Sequence, residues 1–261
     1  MDGLLMEPDE LKRMAGKFRV PVGTLEKDYA VTMLLSLISR FPKISDMVFK
    51  GGTAIKKIYF PEARFSEDLD FTCLSDISKS LLSTLSKEIK GNLGIEFAEV
   101  KPESSRQKNS RRISVKYNDF NGHPNSIKID ISLRERPLRK VGNSLVLHTY
   151  QFENEEFSVP SMNLEEIMAE KMRAIIYARQ PRHLYDAWFL FKKKVPLHPK
   201  LVQSKIKLYG EEFDTEKLKE SIMGMEKVWL VDLEPLLPTV PPFQTVSRSV
   251  MTRVSQIMKS K

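Results

Sequence analysis

Three segments of the N-terminal half alternate apolar and polar residues with a period of two: residues 68–71, 112–117 and 127–133. Successive side chains of a β-strand point to opposite faces, so each segment predicts a strand with one apolar and one polar face. Strands of this kind form a sheet that buries its apolar face under helices. The pattern therefore predicts a mixed sheet with helices on one face and an open polar face on the other.

Helical periodicity dominates the remainder of the chain. Apolar residues at helical spacing predict helices over 26–40, 164–177, 182–193, 200–209, 214–223 and 245–258. A run of prolines predicts an extended connector over 235–243. The predicted fold class is therefore α+β, with a mixed α/β domain over residues 1–155 followed by a helical C-terminal domain over residues 156–261.

The charge balance narrows the class of partner. The chain carries 42 lysine and arginine residues against 34 aspartate and glutamate residues, a net charge of +8. Such an excess favours a polyanion: nucleic acid, nucleotide phosphates or an anionic membrane surface. No apolar stretch is long enough to span a membrane, and the N-terminus lacks the apolar core of a signal peptide. A single cysteine, Cys73, excludes intrachain disulfides and zinc-finger spacing, so we expect a cytoplasmic protein without a membrane partner.

A strand that runs into two glycines and then a helix predicts a phosphate-binding turn. The sequence Lys50-Gly51-Gly52-Thr53 has this form. Glycines let backbone amides approach a phosphate, and the positive end of the helix dipole favours the anion. The hydroxyl of Thr53 would add a further polar contact at that helix terminus.

Paired carboxylates follow the turn. Asp68 and Asp70 share one face of a predicted strand, and Asp130 occupies the polar face of another. Carboxylates on an open face repel each other unless a cation lies between them, and an all-oxygen ligand set suits Mg²⁺ or Mn²⁺. Three carboxylates beside a phosphate-binding turn predict nucleotidyl transfer assisted by two metal ions.

The same residues carry a family resemblance. The stretch KGGTAIKKIY…RFSEDLDF resembles the signature of the AbiEii/AbiGii nucleotidyltransferase toxins, a branch of the polymerase-β-like nucleotidyltransferases. LEKDYAVTMLL upstream and AEKMRAIIYARQPRHLYDAWFL downstream resemble two further blocks of that family, so the likeness covers about residues 25–190. It implies a polymerase-β-like catalytic domain with an N-terminal helix, and a helical domain that contributes Lys171 and Asp186.

The resemblance also implies roles for single residues. Gly52 and Thr53 match the Gly-Ser phosphate turn of the superfamily, and Asp68 and Asp70 match its metal-binding carboxylates. Asp130 fits a third carboxylate by its strand context. Lys57 and Arg64 match two basic positions of the family, which either contact phosphate or hold the aspartate loop in place. With these, the implied nucleotide-binding set is Gly51, Gly52, Thr53, Lys57, Arg64, Ser66 and Lys171.

Lys171 lies on the apolar stripe of its predicted helix, where a lysine must either reach solvent or meet an anion. The resemblance implies that it binds the triphosphate. Asp186, on the next helix, would then either orient Lys171 or act near the acceptor hydroxyl. The structural alternative for Asp186 is a salt bridge to Arg182 or Arg179.

Basic residues gather in two segments on either side of Asp130. They predict a surface that guides RNA towards the acidic centre. The predicted RNA-binding residues are Arg106, Lys108, Arg111, Arg112, Lys116, Arg134, Arg136, Arg139 and Lys140.

Three functions fit these observations. The first is metal-dependent transfer of a nucleotide from an NTP to RNA; the resemblance points to the 3′ end of tRNA, and to a toxin that a cognate antitoxin neutralises. The second keeps the chemistry but transfers to a protein or a small molecule. The third is a non-catalytic module that binds NTP or RNA, which gives no physical reason for paired acids beside a phosphate turn.

Overall fold

The computed structural model describes residues 6–88, 97–103, 109–150 and 156–259. The chain divides into two compact units, Met1–Met162 and Asn163–Lys261. Position 155, where the sequence predicts the boundary, lies outside the described residues. The division falls slightly later because the strand Ser158–Ser161 pairs within the sheet of the first unit.

The described part of the first unit contains a seven-stranded mixed sheet. Its strands are β1 (Met47–Lys50), β2 (Leu69–Cys73), β3 (Phe97–Glu103), β4 (Ser110–Asn118), β5 (Pro124–Ser132), β6 (Gly142–Leu145) and β7 (Ser158–Ser161). The order across the sheet is β3-β4-β5-β2-β1-β7-β6. The pairs β2–β5 and β1–β7 are parallel, and the others are antiparallel.

The register of the strands explains their alternating sequence. Phe71 has Phe49 and Ile131 as its Cα partners, and all three side chains are buried. Asp70 and Asp130 form the adjacent pair on the opposite face and are partly exposed. The predicted sheet with one apolar face is therefore confirmed, and its polar face carries the carboxylates.

The helices of the first unit are α1 (Pro8–Phe18), α2 (Val22–Ser39), α3 (Gly51–Ala54) and α4 (Ser78–Glu88), and a π-helical turn over Ile55–Tyr59 follows α3. Helices α2 and α4 contact strands β3, β4 and β5. The sequence predicts α2 as amphipathic, but α2 is buried on nearly all sides. Its polar side chains are tolerated there because they are paired: Glu26 accepts the Phe120 amide, and Asp28 binds Lys57.

The described part of the second unit is helical, as the sequence predicts. Its helices are α5 (Leu164–Tyr177), α6 (Pro181–Lys192), α7 (Pro199–Lys207), α8 (Thr215–Met223), α9 (Trp229–Leu233) and α10 (Phe243–Lys259). Helix α5 contacts α6, α7 and α8. Its N-cap is Asn163, whose side chain accepts the Glu165 amide at 3.0 Å. Among the described helices, none combines the length and apolar character needed to cross a membrane.

Candidate active site

The first unit places Gly51, the first of the two glycines, directly against a carboxylate. Gly51 follows β1 and has a φ of +82°, which a residue with a side chain adopts only at a cost. A Cβ at Gly51 would lie 2.8 Å from Cγ and 2.9 Å from Cβ of Asp70. Lys50, the last residue of β1, is the cross-strand partner of Asp70. The tight turn and the absent side chain therefore let the Asp70 carboxylate pack on the backbone where α3 begins.

The second glycine faces two polar side chains. A Cβ at Gly52 would lie 2.7 Å from Nη2 of Arg64 and 3.2 Å from Oγ of Ser66. Arg64 is buried, and its Nη1 donates to the Phe65 carbonyl at 2.9 Å. The segment 64–66 therefore brings a guanidinium and a hydroxyl over the turn, next to the backbone that the sequence assigns to phosphate. Four residues of the predicted nucleotide-binding set, Gly51, Gly52, Arg64 and Ser66, thus lie together beside Asp70, a predicted metal ligand.

Thr53 connects the turn to the first aspartate. Its buried hydroxyl donates to the Asp68 carbonyl oxygen at 2.5 Å. The sequence assigns this hydroxyl to the phosphate, but its proton is directed to the aspartate loop. Asp68 itself lies one residue before β2 and is partly exposed. Thr53 therefore positions Asp68 relative to α3.

A row of alternating charge crosses the polar face of the sheet. The Cα partners Lys50, Asp70, Asp130 and Arg112 come from β1, β2, β5 and β4 in that order. Arg112 binds Asp130 with two hydrogen bonds, Nε to Oδ1 at 2.6 Å and Nη2 to Oδ2 at 2.8 Å. At the other end, Lys50 forms a buried ion pair with Glu135. The two central carboxylates are thus flanked by cations of the protein.

This row changes the predicted metal site. Within the residues that the structure describes, no three histidine, cysteine, aspartate or glutamate side chains are grouped to hold an ion. Asp130, the predicted third ligand, has both oxygens engaged by Arg112. The donor chemistry of Asp68 and Asp70 still suits a divalent cation, because both are partly exposed carboxylates beside the glycine turn.

Lys57, which the sequence assigns to the nucleotide-binding set, makes a buried ion pair within the first unit. Its ammonium is 2.7 Å from Oδ2 of Asp28, and the Tyr150 hydroxyl donates to the same oxygen at 2.6 Å. Both members of the ion pair are buried. The π-helical turn over Ile55–Tyr59 interrupts the α-helical spacing at this point. Lys57 therefore holds α2 to this turn inside the first unit.

One basic residue near the acids escapes the sequence interpretation. Lys27 donates to Oδ1 of Asn125 at 3.0 Å, which fixes its ammonium at the start of β5. Burial lowers the pKa of Lys27, while the negative charges of Glu67 and Asp68 act in the opposite direction. Lys27 is thus within electrostatic reach of the Asp68 loop. The available signal was its place between two acids in the sequence Glu26-Lys27-Asp28.

In the second unit, Lys171 and Asp186 form a buried ion pair. Their Nζ and Oδ2 atoms are 2.7 Å apart, and their side chains are 6% and 3% exposed. Arg182, an alternative partner for Asp186, directs its Nε to Gln180 at 2.9 Å. The predicted orientation of Lys171 by Asp186 therefore has the required contact within this unit.

A family comparison bears on these residues. A family model described as "Nucleotidyl transferase AbiEii toxin, Type IV TA system" matches residues 33–250. The chain belongs to the AbiEii nucleotidyltransferase family. The match spans both units, and it covers the glycine turn, the aspartate pair and the Lys171–Asp186 pair.

A solved structure supports the fold of this AbiEii protein. The chain is similar to MenT4, a nucleotidyltransferase toxin from Mycobacterium tuberculosis H37Rv, with a TM-score of 0.74. The match covers 98% of this chain and 90% of that chain at 19% sequence identity. No curated protein sequence matches significantly. The AbiEii protein is thus a nucleotidyltransferase of a type IV toxin–antitoxin family.

The predicted RNA-binding residues of the AbiEii protein have different surroundings. Arg111 pairs with Asp76 at 3.0 Å, and Arg112 pairs with Asp130. Arg134 is half-buried. The exposed members are Lys116, Arg136, Arg139 and Lys140. Arg106 and Lys108 lie outside the described residues.

Proposed function

We propose that this AbiEii protein transfers a nucleoside monophosphate from an NTP to the 3′ end of tRNA, with Mg²⁺ or Mn²⁺ as cofactor. Transfer to that end blocks aminoacylation and so stops growth, and a cognate antitoxin prevents this. The observation that carries the proposal is the contact of the Asp70 carboxylate with the backbone of Gly51. It brings a candidate metal ligand against the candidate phosphate turn.

Each residue of the turn has a task in this proposal. The backbone amides that follow Gly51 and Gly52 bind the triphosphate at the N-terminus of the helical segment. Arg64 and Ser66, which lie over Gly52, donate to phosphate oxygens. Thr53 holds the Asp68 loop through its hydrogen bond to the Asp68 carbonyl. The turn thereby fixes the α-phosphate relative to the acids.

Asp68 and Asp70 would hold the divalent cation. When bound, the metal would supply a positive charge that activates the acceptor hydroxyl and stabilises the leaving pyrophosphate. Lys27 adds a protein cation within electrostatic reach of Asp68. We propose that Lys171 binds the triphosphate, with Asp186 as its positioning partner.

The exposed basic residues support an RNA acceptor over a protein or a small molecule. Arg136, Arg139 and Lys140 lie in the segment that follows β5, the strand that carries Asp130. Clustered cations of this kind attract a polyanion, and the attraction falls steeply with added salt.

The test uses the purified full chain, Mg²⁺, each α-³²P-labelled NTP in turn, and total tRNA. The matched control is the same tRNA after periodate oxidation, which destroys the 3′-terminal diol. Label on intact tRNA but not on oxidised tRNA supports the proposal. Label on protein would indicate a protein acceptor instead of tRNA. Absence of label on any acceptor would favour the non-catalytic alternative.

A second arm examines the basic surface. Arg136→Gln combined with Lys140→Gln removes two exposed charges without altering a described ion pair. We expect transfer to tRNA to weaken and its salt dependence to become shallower. A salt response identical to that of the unmodified chain would contradict the role given to this surface.

A further inference from the structure

Arg112 binds Asp130, a predicted metal ligand, through a forked ion pair. Two parallel hydrogen bonds, of 2.6 and 2.8 Å, use both carboxylate oxygens. A guanidinium binds a carboxylate in this forked manner because its donors match the spacing of the two oxygens. The side chain of Asp130 therefore has its charge compensated by the protein itself.

The position of the pair links it to Asp70 of β2. Asp130 is the Cα partner of Asp70 in the parallel pair β2–β5, so both carboxylates lie on the same face of adjacent strands. Neighbouring strands are about 4.8 Å apart, which is within the reach of two carboxylates that share a cation. A metal bound at Asp70 would therefore have Asp130 beside it, but with its oxygens already occupied.

The two ends of the charged row differ in exposure. At the β1 end, Lys50 and Glu135 are 11% and 1% exposed, which marks a buried and fixed pair. At the β4 end, Arg112 and Asp130 are 38% and 35% exposed. A pair with this much contact with water gains little net free energy, so its exchange for another partner is inexpensive. Only the Asp130 end of the row can exchange cations at low cost.

We propose that Arg112 is a positioning residue that competes with a divalent cation for Asp130. With Arg112 on Asp130, Asp68 and Asp70 would hold one metal ion. When Arg112 moves away, Asp130 joins Asp70 in binding a second one, and the released guanidinium is available to a phosphate. The inference rests on the proposed function, because it requires that Asp68 and Asp70 hold the first metal ion.

The test is binding of Mn²⁺ to the full chain without NTP, followed by the electron paramagnetic resonance signal of free Mn²⁺. Arg112→Gln removes the guanidinium charge and is expected to tighten Mn²⁺ binding by about threefold, the effect of losing a competing ion pair at a half-exposed position. Arg112→Lys restores a charge but not the fork, so an intermediate affinity is expected. The matched control is Arg111→Gln, which breaks the neighbouring pair with Asp76 and should leave Mn²⁺ binding unchanged.

A double variant identifies the ligand. Asp130→Asn in the Arg112→Gln background should abolish the gained binding, because it removes the carboxylate that Arg112 had occupied. Unchanged Mn²⁺ binding in Arg112→Gln, together with a loss in Asp70→Asn, would overturn the competition and leave the proposed metal site intact. If Asp68→Asn and Asp70→Asn also bind Mn²⁺ as the unmodified chain does, both the inference and the proposed metal site fail. Thermal unfolding of each variant separates these effects from loss of structure.

Discussion

The contact between Gly51 and Asp70 gives the sharpest prediction. In Gly51→Ala, the new methyl group would lie 2.8 Å from Cγ of Asp70, where ordinary contacts are 3.4–4 Å. The carboxylate must therefore move by about 1 Å, and a displacement of that size at a reacting centre costs about 100-fold in rate. The positive φ adds about 1–2 kcal/mol of backbone strain, which lowers the free energy of unfolding.

Gly122 offers a matched control for the strain. Its φ is +81°, almost that of Gly51, and among the described residues nothing lies within 4 Å of a Cβ built there. Gly122→Ala therefore carries the same backbone penalty without displacing a carboxylate. We expect both variants to lose similar unfolding free energy in urea, and only Gly51→Ala to lose transfer of α-³²P-labelled nucleotide. Equal activity of the two variants would refute the claim that Asp70 must pack on the bare backbone.

Four further predictions follow from the ion pairs and hydrogen bonds. Lys171→Met should abolish nucleotide transfer and destabilise the fold by about 3–5 kcal/mol, because it removes one partner of a buried ion pair. The control is Lys205→Met, which breaks the buried ion pairs of Lys205 with Glu166 and Glu170 and should destabilise the fold but retain transfer. Equal activities of the two variants would contradict a special role of Lys171. Lys57→Met should lower the free energy of unfolding without raising the KM for NTP. A raised KM would indicate that Lys57 binds the phosphates of the NTP. Thr53→Val should reduce kcat because it removes the hydrogen bond to the Asp68 carbonyl, and Thr53→Ser should retain it. An unchanged kcat in Thr53→Val would show that the hydroxyl does not hold the Asp68 loop. Burial lowers the pKa of Lys56 to about 8, so on raising the pH the folded protein releases this proton before the unfolded chain does. The free energy of unfolding should therefore rise between about pH 8 and 10.5 relative to that of Lys56→Met. A constant difference in unfolding free energy between the two proteins over this range would contradict that pKa.

Local sequence patterns were sufficient to predict the sheet and the turn. The period of two in residues 68–71 and 127–133 corresponds to the two faces of the sheet, because the register of β2 against β5 pairs apolar residues with apolar residues and Asp70 with Asp130. The glycine turn could be predicted because a residue without a side chain is required where Gly51 lies against Asp70. These features depend on near neighbours in the chain or on one strand pair, which is the range that sequence spacing covers.

Sequence spacing does not reveal features that depend on distant partners. Lys57 follows the glycine turn closely in sequence, but the π-helical turn and the anion of Asp28 on α2 take it into the interior. Asp130 was predicted as a metal ligand from its face alone. Its pairing with Arg112 depends on the register of β4 against β5, which the alternating pattern does not set by itself.

The central claim is that Asp70, beside the Gly51–Gly52 turn, is the centre of nucleotidyl transfer. The most direct measurement is the single-turnover rate of α-³²P nucleotide transfer by Asp70→Asn, which keeps the shape of the side chain and removes its charge. The control is Asp9→Asn, at a carboxylate that is 90% exposed on α1. We expect a loss of at least about 100-fold for Asp70→Asn, since a metal ion contributes several kcal/mol to the transition state, and no change for the control. A folded Asp70→Asn variant that transfers nucleotide at the unmodified rate would contradict it.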